Sequence, residues 1–214
     1  MTLVFFCRKS YNTDTMFWRD TMANNNPYQE WENLGRSIQE IIDKAINSQD
    51  YQELSRNIGR TIDNAINNGY TVMWGGDVSE QGFTRKGLAV AVDSKAVQSL
   101  SGSDAAKWLR LSPVQKTNIL DSLGVNTPEV KLTQEMRQEA YDNWETTDDH
   151  GMHLYGIAKD QNGKEYYMIK NSWGETGDNK GIWYMTKTFC AYKVMDFMVN
   201  KNAIPKDIRK KLGI

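Results

Sequence analysis

Asp148-Asp149-His150-Gly151-Met152, and the block Asn171-Ser172-Trp173-Gly174 that opens 21 residues after the histidine, decide how this chain is read. A histidine that moves protons for a nucleophile needs a partner to hold its ring and fix its tautomer, and an asparagine side-chain oxygen does this. The intervening sequence reads as a hairpin. Residues 152–159, Met-His-Leu-Tyr-Gly-Ile-Ala-Lys, read as a strand, and Asp160-Gln161-Asn162-Gly163 as a turn, because Asn and Gly tolerate positive φ. Residues 165–170, Glu-Tyr-Tyr-Met-Ile-Lys, read as the returning strand. The outer ends of a hairpin meet, so His150 and Asn171 are expected on one side, within hydrogen-bond reach. Residues 181–186 read as a third strand. Spacing alone leaves a second reading open, an ordinary surface meander carrying an incidental histidine.

The surrounding wording separates the two. Asp149-His150-Gly151-Met152, Lys170-Asn171-Ser172-Trp173-Gly174 and Gly181-Ile182-Trp183-Tyr184 together resemble the histidine and asparagine blocks of papain-like cysteine peptidases, nearest to the bleomycin hydrolase and aminopeptidase C branch. Residues 70–78, Tyr-Thr-Val-Met-Trp-Gly-Gly-Asp-Val, are similar to that branch's segment leading into its second domain. The resemblance runs from about residue 57 to the end of the sequence. It implies an α+β fold: the papain-like, strand-rich, histidine-bearing C-terminal half, with flanking helices.

The resemblance also implies roles. His150 is the expected general base and acid paired with a thiolate. Asn171 orients the imidazole, and Trp173 shields their hydrogen bond from water. Asp149 is expected to support the approach to His150. The chemistry implied is acyl transfer through a thioester, on peptide substrates with a free N-terminus and without a cofactor or metal. In the resembled branch the chain terminus lies in the cleft and limits cleavage to N-terminal residues, which makes Ile214 a possible specificity terminus. His153, three residues along the strand from His150, is expected on the opposite face and reads as structural.

The departures from the family carry equal weight. Its nucleophile lies in a Gln-x-Gly-x-Cys-Trp type segment that this sequence does not contain, and the oxyanion-hole glutamine is missing with it. Cys7 has basic neighbours in Arg8 and Lys9, which favour a thiolate, but none of the motif around it. Cys190, in Thr188-Phe189-Cys190-Ala191-Tyr192, reads as buried packing. The expectation is the C-terminal half of a cysteine aminopeptidase, supplying His and Asn without the nucleophile and inactive alone. An N-terminal half is its expected partner, and a homo-oligomer is expected by family analogy. The alternative is a non-catalytic peptide-binding or interaction protein that keeps the fold.

Composition agrees. The net charge of −1 over 214 residues argues against nucleic acid bound by bulk electrostatics. Two cysteines do not make a disulfide framework. The apolar run from Leu3 to Cys7 is too short for a signal-peptide core, and no stretch approaches spanning length, so the expectation is a cytoplasmic chain without a membrane partner.

The organisation expected is an irregular N-terminal segment over 1–30, a helical pair over 31–69, and a papain-like C-terminal domain over 70–214 with a helical insertion near 93–145. Residues 33–47 and 57–67 both keep a helical apolar period. Residues 93–132 read as a surface excursion, with a loop at 99–104 and a helix start at Ser112-Pro113-Val114-Gln115. Thr133 is placed to cap a further helix through Tyr141 and Trp144. Asp77, Glu80, Asp148 and Asp149 read as solvated loop carboxylates, since no spacing makes a ligand set. Half of a two-domain enzyme is also expected to expose an apolar patch around His150, Trp173 and the strand at 71–75.

Overall fold

Alternation of apolar and polar side chains over residues 150–170 builds the central hairpin on which the rest is assembled. The structure is a computed structural model and describes residues 3–5, 54–100 and 105–214. The helix expected at 33–47, Cys7 and most of the first thirty residues lie outside them. In chain order the elements are β1 (Leu3–Phe5), α1 (Leu54–Asn67), β2 (Val72–Gly76), β3 (Leu88–Ala89), α2 (Ser94–Leu100), α3 (Ala105–Arg110) and α4 (Pro113–Leu123). There follow α5 (Gln134–Asp142), β4 (His150–Lys159), β5 (Glu165–Lys170), β6 (Ile182–Thr186), α6 (Lys187–Lys193), β7 (Val194–Asn200) and α7 (Lys206–Leu212). No helix among the described residues is long and apolar enough to cross a membrane.

The strands form one sheet in the order β1-β7-β2-β4-β5-β6-β3, antiparallel except for the β3–β6 pair. The β4–β5 hairpin turns at Gly163 with φ 82, where the Asp160 carboxylate accepts the N–H groups of Asn162 and Lys164. β4 begins two residues before the strand read from the sequence, because Gly76 of β2 pairs with His150 and carries the ladder to the hairpin's end. β1 falls within the segment expected to be irregular: Leu3 to Phe5 pair with Asn200 to Met198.

Period-two alternation sends Val72, Trp74, Met152, Leu154, Tyr167 and Ile169 to one face, where all are buried. α1 and α6 cover that face. Tyr167 OH donates to Asp63 of α1 at 2.8 Å, and the Trp74 indole N–H points to the Cys190 carbonyl of α6 at 3.5 Å. α1 runs where an amphipathic period demands it, with Ile58, Ile62 and Ala65 buried, and begins three residues earlier than read.

The apolar patch expected around His150, Trp173 and the strand at 71–75 is met in part: Trp173 and, on the opposite face of β2, Met73 are exposed, but Val72 and Trp74 enter the face that α1 and α6 cover.

The insertion is more than a surface excursion. Val97, Trp108 and Leu120 are buried together, with Val92, Leu111, Ile119 and Leu123 against them, forming a satellite core. Ser112 caps α4 in a complete capping box with Gln115 and Pro113 at the first turn. α2 continues through Leu100, past the start of the loop read at Ser99. Thr133 caps α5, which ends at Asp142, two residues before Trp144 with its φ of 67.

Candidate active site

His150 opens β4 opposite Gly76, and Asn171 follows the last residue of β5. The asparagine is held in place by its own backbone, whose N–H donates to the Gly181 carbonyl at 2.9 Å. The residue is 3% exposed, and its Oδ1 lies 2.8 Å from His150 Nε2. An amide oxygen only accepts, so Nε2 is the protonated ring nitrogen. Nδ1 is then the nitrogen left for proton transfer, and among the described residues nothing hydrogen-bonds to it. Among the described residues Asn171 Nδ2 is buried without a partner.

Trp173 lies over this pair, its ring centroid 5.0 Å from that of His150 at an interplanar angle of 41°. Trp173 is 50% exposed, and its indole meets two further rings edge-on: Phe83 at 6.0 Å and Trp183 at 5.7 Å. Those two are stacked on each other at 5.5 Å and 7°. Trp183 is fixed through its indole N–H, which donates to the Thr84 carbonyl at 2.8 Å. Edge-to-face contacts match the positive rim of one ring to the negative face of another, so the platform orients Trp173 as well as burying its inner edge. Trp183 carries the third block of the sequence pattern. Phe83, a single aromatic in a loop, has no signal in the sequence.

The loop from Asn171 to Gly181 is tight. Gly174, Gly177 and Gly181 have φ of 77, 68 and 80. A Cβ on Gly181 would lie 2.0 Å from the Gly174 carbonyl oxygen, so only glycine closes the loop that presents Trp173.

Asp149 does not contact the imidazole. Its Oδ1 accepts from Val78 N–H at 3.0 Å, its Oδ2 accepts from the Ser79 hydroxyl, and its own N–H donates to the Gly76 carbonyl at 3.3 Å. It ties the loop after β2 to the start of β4. Asp77 is buried, contrary to the expectation of a solvated carboxylate. Two loops cross there, and the carboxylate accepts from Ser79 N–H at 2.8 Å and Thr147 N–H at 3.0 Å. Glu80 pairs with Lys193, a buried lysine that also donates to the Glu145 carbonyl at 3.2 Å and to the Thr146 hydroxyl at 3.1 Å. Asp148 is exposed beside Asp196, whose Oδ1 leaves no room for a Cβ on Gly75. Partial burial, and then the charges of Asp196 and Asp149, push the Asp148 carboxyl up. Among the described residues no group of three His, Cys, Asp or Glu side chains is placed to hold a metal ion.

His153 is exposed and faces away from His150. Cys190 is buried in α6, and burial, with the Asp63 charge added, pushes its thiol well up, which keeps it protonated. Ile214 is exposed at the end of the chain after the left-handed Gly213 cap of α7, with its N–H donating to the Arg209 carbonyl at 3.1 Å.

No curated protein matches the chain. Among solved structures it is similar to PepW from Lactobacillus rhamnosis, at 21% identity and a TM-score of 0.42 over 70% of this chain and 28% of that one. It is also similar to bromelain from Ananas comosus, at 15% identity and a TM-score of 0.28 over 60% of this chain and 39% of that one. The chain thus spans well under half of either protein. The sequence profile of the Peptidase C1-like family matches residues 102–213, just over half of the chain and the part that holds His150, Asn171 and Trp173. With that match set on this α+β architecture, the chain belongs to the Peptidase C1-like family.

Proposed function

We propose that this chain supplies the histidine and asparagine of a thiol-dependent aminopeptidase site of the bleomycin hydrolase and aminopeptidase C type, with the cysteine delivered by a segment outside this sequence. The observation that carries the reading is the 2.8 Å contact between His150 Nε2 and Asn171 Oδ1 beneath Trp173. It commits one ring nitrogen to orientation and leaves Nδ1 for the chemistry.

In the completed site the thiol proton resides on His150 Nδ1, and the thiolate attacks the scissile carbonyl carbon. The imidazolium gives that proton to the departing amine as the C–N bond breaks, leaving a thioester. Water then attacks the thioester while Nδ1 takes a proton from it, and the carboxylic acid leaves as the thiol is regenerated. Asn171 keeps the ring in one plane through both steps, and Trp173 keeps water from competing for its oxygen. Substrates are peptides with a free N-terminus, and in this reading the Ile214 carboxylate limits cleavage by meeting the substrate's amino group. Cys190 does not serve as nucleophile, because it is buried in α6 with its thiol held protonated.

The test is an aminoacyl-amide hydrolysis assay on the chain alone and with an added family polypeptide carrying the Gln-x-Gly-x-Cys-Trp segment. The proposal expects turnover only in the mixture, and its loss in His150→Ala. Turnover by the chain alone that vanishes in Cys7→Ala would refute an external nucleophile. Peptide binding with no turnover under any complementation would make the chain a binding protein.

A further inference from the structure

We infer that a cavity of about 460 Å³ at the far end of the sheet binds a free α-amino acid with a large apolar side chain. Its floor is made where four strands lie side by side: Leu88 of β3 beside Tyr184 of β6, and Ala158 of β4 beside Tyr166 of β5. Leu120 of α4 and Val125 just after it form an apolar wall. His150 lies eight residues back along β4 from Ala158, about 26 Å at strand rise. The inference therefore does not rest on the catalytic reading.

The polar groups of the cavity decide the ligand. Asp160 is occupied, since one oxygen accepts two turn N–H groups and the other lies 3.4 Å from Tyr166 OH. Lys159 is occupied too, paired with Glu165 at 3.1 Å. Asp121 and Lys86 are not closed on each other. The Lys86 Nζ to Asp121 Oδ2 separation is 4.0 Å, beyond hydrogen-bond length, and Asp121 Oδ1 is buried without a hydrogen-bond partner among the described residues. Oδ1 is closed off, so the 19% exposed Asp121 side chain meets the cavity through Oδ2, whose partner among the described residues is Lys86 at 4.0 Å. A partly buried carboxylate held short of a full ion pair gains from a donor placed against it.

A ligand of one charge does not fit this pair. An anion meets Asp121 and Asp160, and a simple amine leaves Lys86 without a partner. A zwitterion fits between them, with its ammonium on Asp121 and its carboxylate on Lys86, and an apolar side chain laid against Leu88, Leu120 and Val125. Charge-assisted bonds at both ends fix the orientation.

The test is a titration of the full 214-residue, ¹⁵N-labelled chain with L-leucine, followed by backbone amide shifts. Saturable shifts are expected at Leu88, Gly124 and Ala158, and none at His150. Each lost charged contact is expected to weaken binding about tenfold, whether it is removed from the ligand, as in N-acetyl-leucine or leucinol, or from the protein, as in Asp121→Asn or Lys86→Met. Lys86 is exposed, so Lys86→Met keeps the test readable if Asp121→Asn unfolds. The inference is overturned by an absence of saturable shifts with leucine or phenylalanine, by equal affinity for N-acetyl-leucine, by Asp121→Asn binding as tightly as the native chain, or by shifts centred on His150.

Discussion

Removing the indole in Trp173→Ala tests whether the aromatic cover sustains the His150–Asn171 pair. Half of the residue is exposed, so about 125 Å² of a tryptophan's area is buried, with His150, Phe83 and Trp183 against its ring. At about 25 cal/mol per Å² this is worth ~3 kcal/mol, and closer to ~2 kcal/mol once the compactness of the unfolded chain is allowed for. Urea unfolding followed by far-UV circular dichroism should show a loss of about 2–3 kcal/mol, and Trp173→Phe should recover part of it. A second readout isolates the site. The His150 Nε2–H proton, bonded to Asn171 at 2.8 Å under the ring, should be visible by NMR and slow to exchange in the native chain, and should broaden into water exchange in Trp173→Ala. A loss below about 0.5 kcal/mol, the level expected of an ordinary surface substitution, would refute the reasoning. So would an Nε2–H that stays protected without the indole, since the hydrogen bond would then not depend on its cover.

Gly181→Ala should lower stability by about 2 kcal/mol or more in a thermal melt, because the new Cβ meets the Gly174 carbonyl in a left-handed backbone. Cys190 should resist iodoacetamide in the native chain even in mildly alkaline buffer and react only in denaturant, with peptide mass spectrometry locating the label. Asp148→Asn should stabilise the chain slightly, by about 0.3 kcal/mol given the exposure of the group, but only above the raised carboxyl pKa. The folded state binds the Asp148 proton more tightly than the unfolded state does, so native stability falls as pH rises from the ordinary carboxylate value through the raised one. The asparagine variant removes that fall, and unfolding curves of equal pH dependence in the two chains would contradict it.

The hairpin was legible because everything that defines it is local: alternation on both strands, a turn around Gly163, and a histidine and an asparagine at the outer ends. His153 followed from the same rule, since an odd spacing along a strand reverses the face. β1 was not legible, because Leu3 to Phe5 find their partners almost two hundred residues away in β7 and nothing local records that pairing. Of the apolar patch expected around His150, Trp173 and the strand at 71–75, the β2 part was misread for a related reason, while Trp173 and Met73 are exposed. Val72 and Trp74 look like surface to be covered by another domain until the order of strands places β2 between β7 and β4, under α1 and α6. Phe83 was silent for want of a pattern, although its ring completes the platform beneath Trp173. Asp77 was read as solvated from its loop composition, but only the crossing of two loops shows that its oxygens are spent on backbone N–H groups.

The site's geometry separates two tasks that a triad usually blends. Orientation of the imidazole is complete within the described residues. Gly76 fixes the histidine's backbone through the ladder, Gly181 fixes the asparagine's backbone through its carbonyl, and the Phe83–Trp183 stack fixes the indole that covers both. None of these contacts comes from an element that carries a nucleophile. If His150 is the base of the proposed thiol site, holding it this way before the thiol arrives costs little freedom when one does, which is the condition under which positioning contributes most to rate. On the proposed reading the same separation bounds what these residues do alone: an oriented imidazole with no thiol at Nδ1 has no thiolate to generate, and members of a triad act as a unit. Building the rigid cover into this chain therefore reduces the demand on the proposed partner to a single placement, a thiol brought to the one ring nitrogen that Asn171 leaves free.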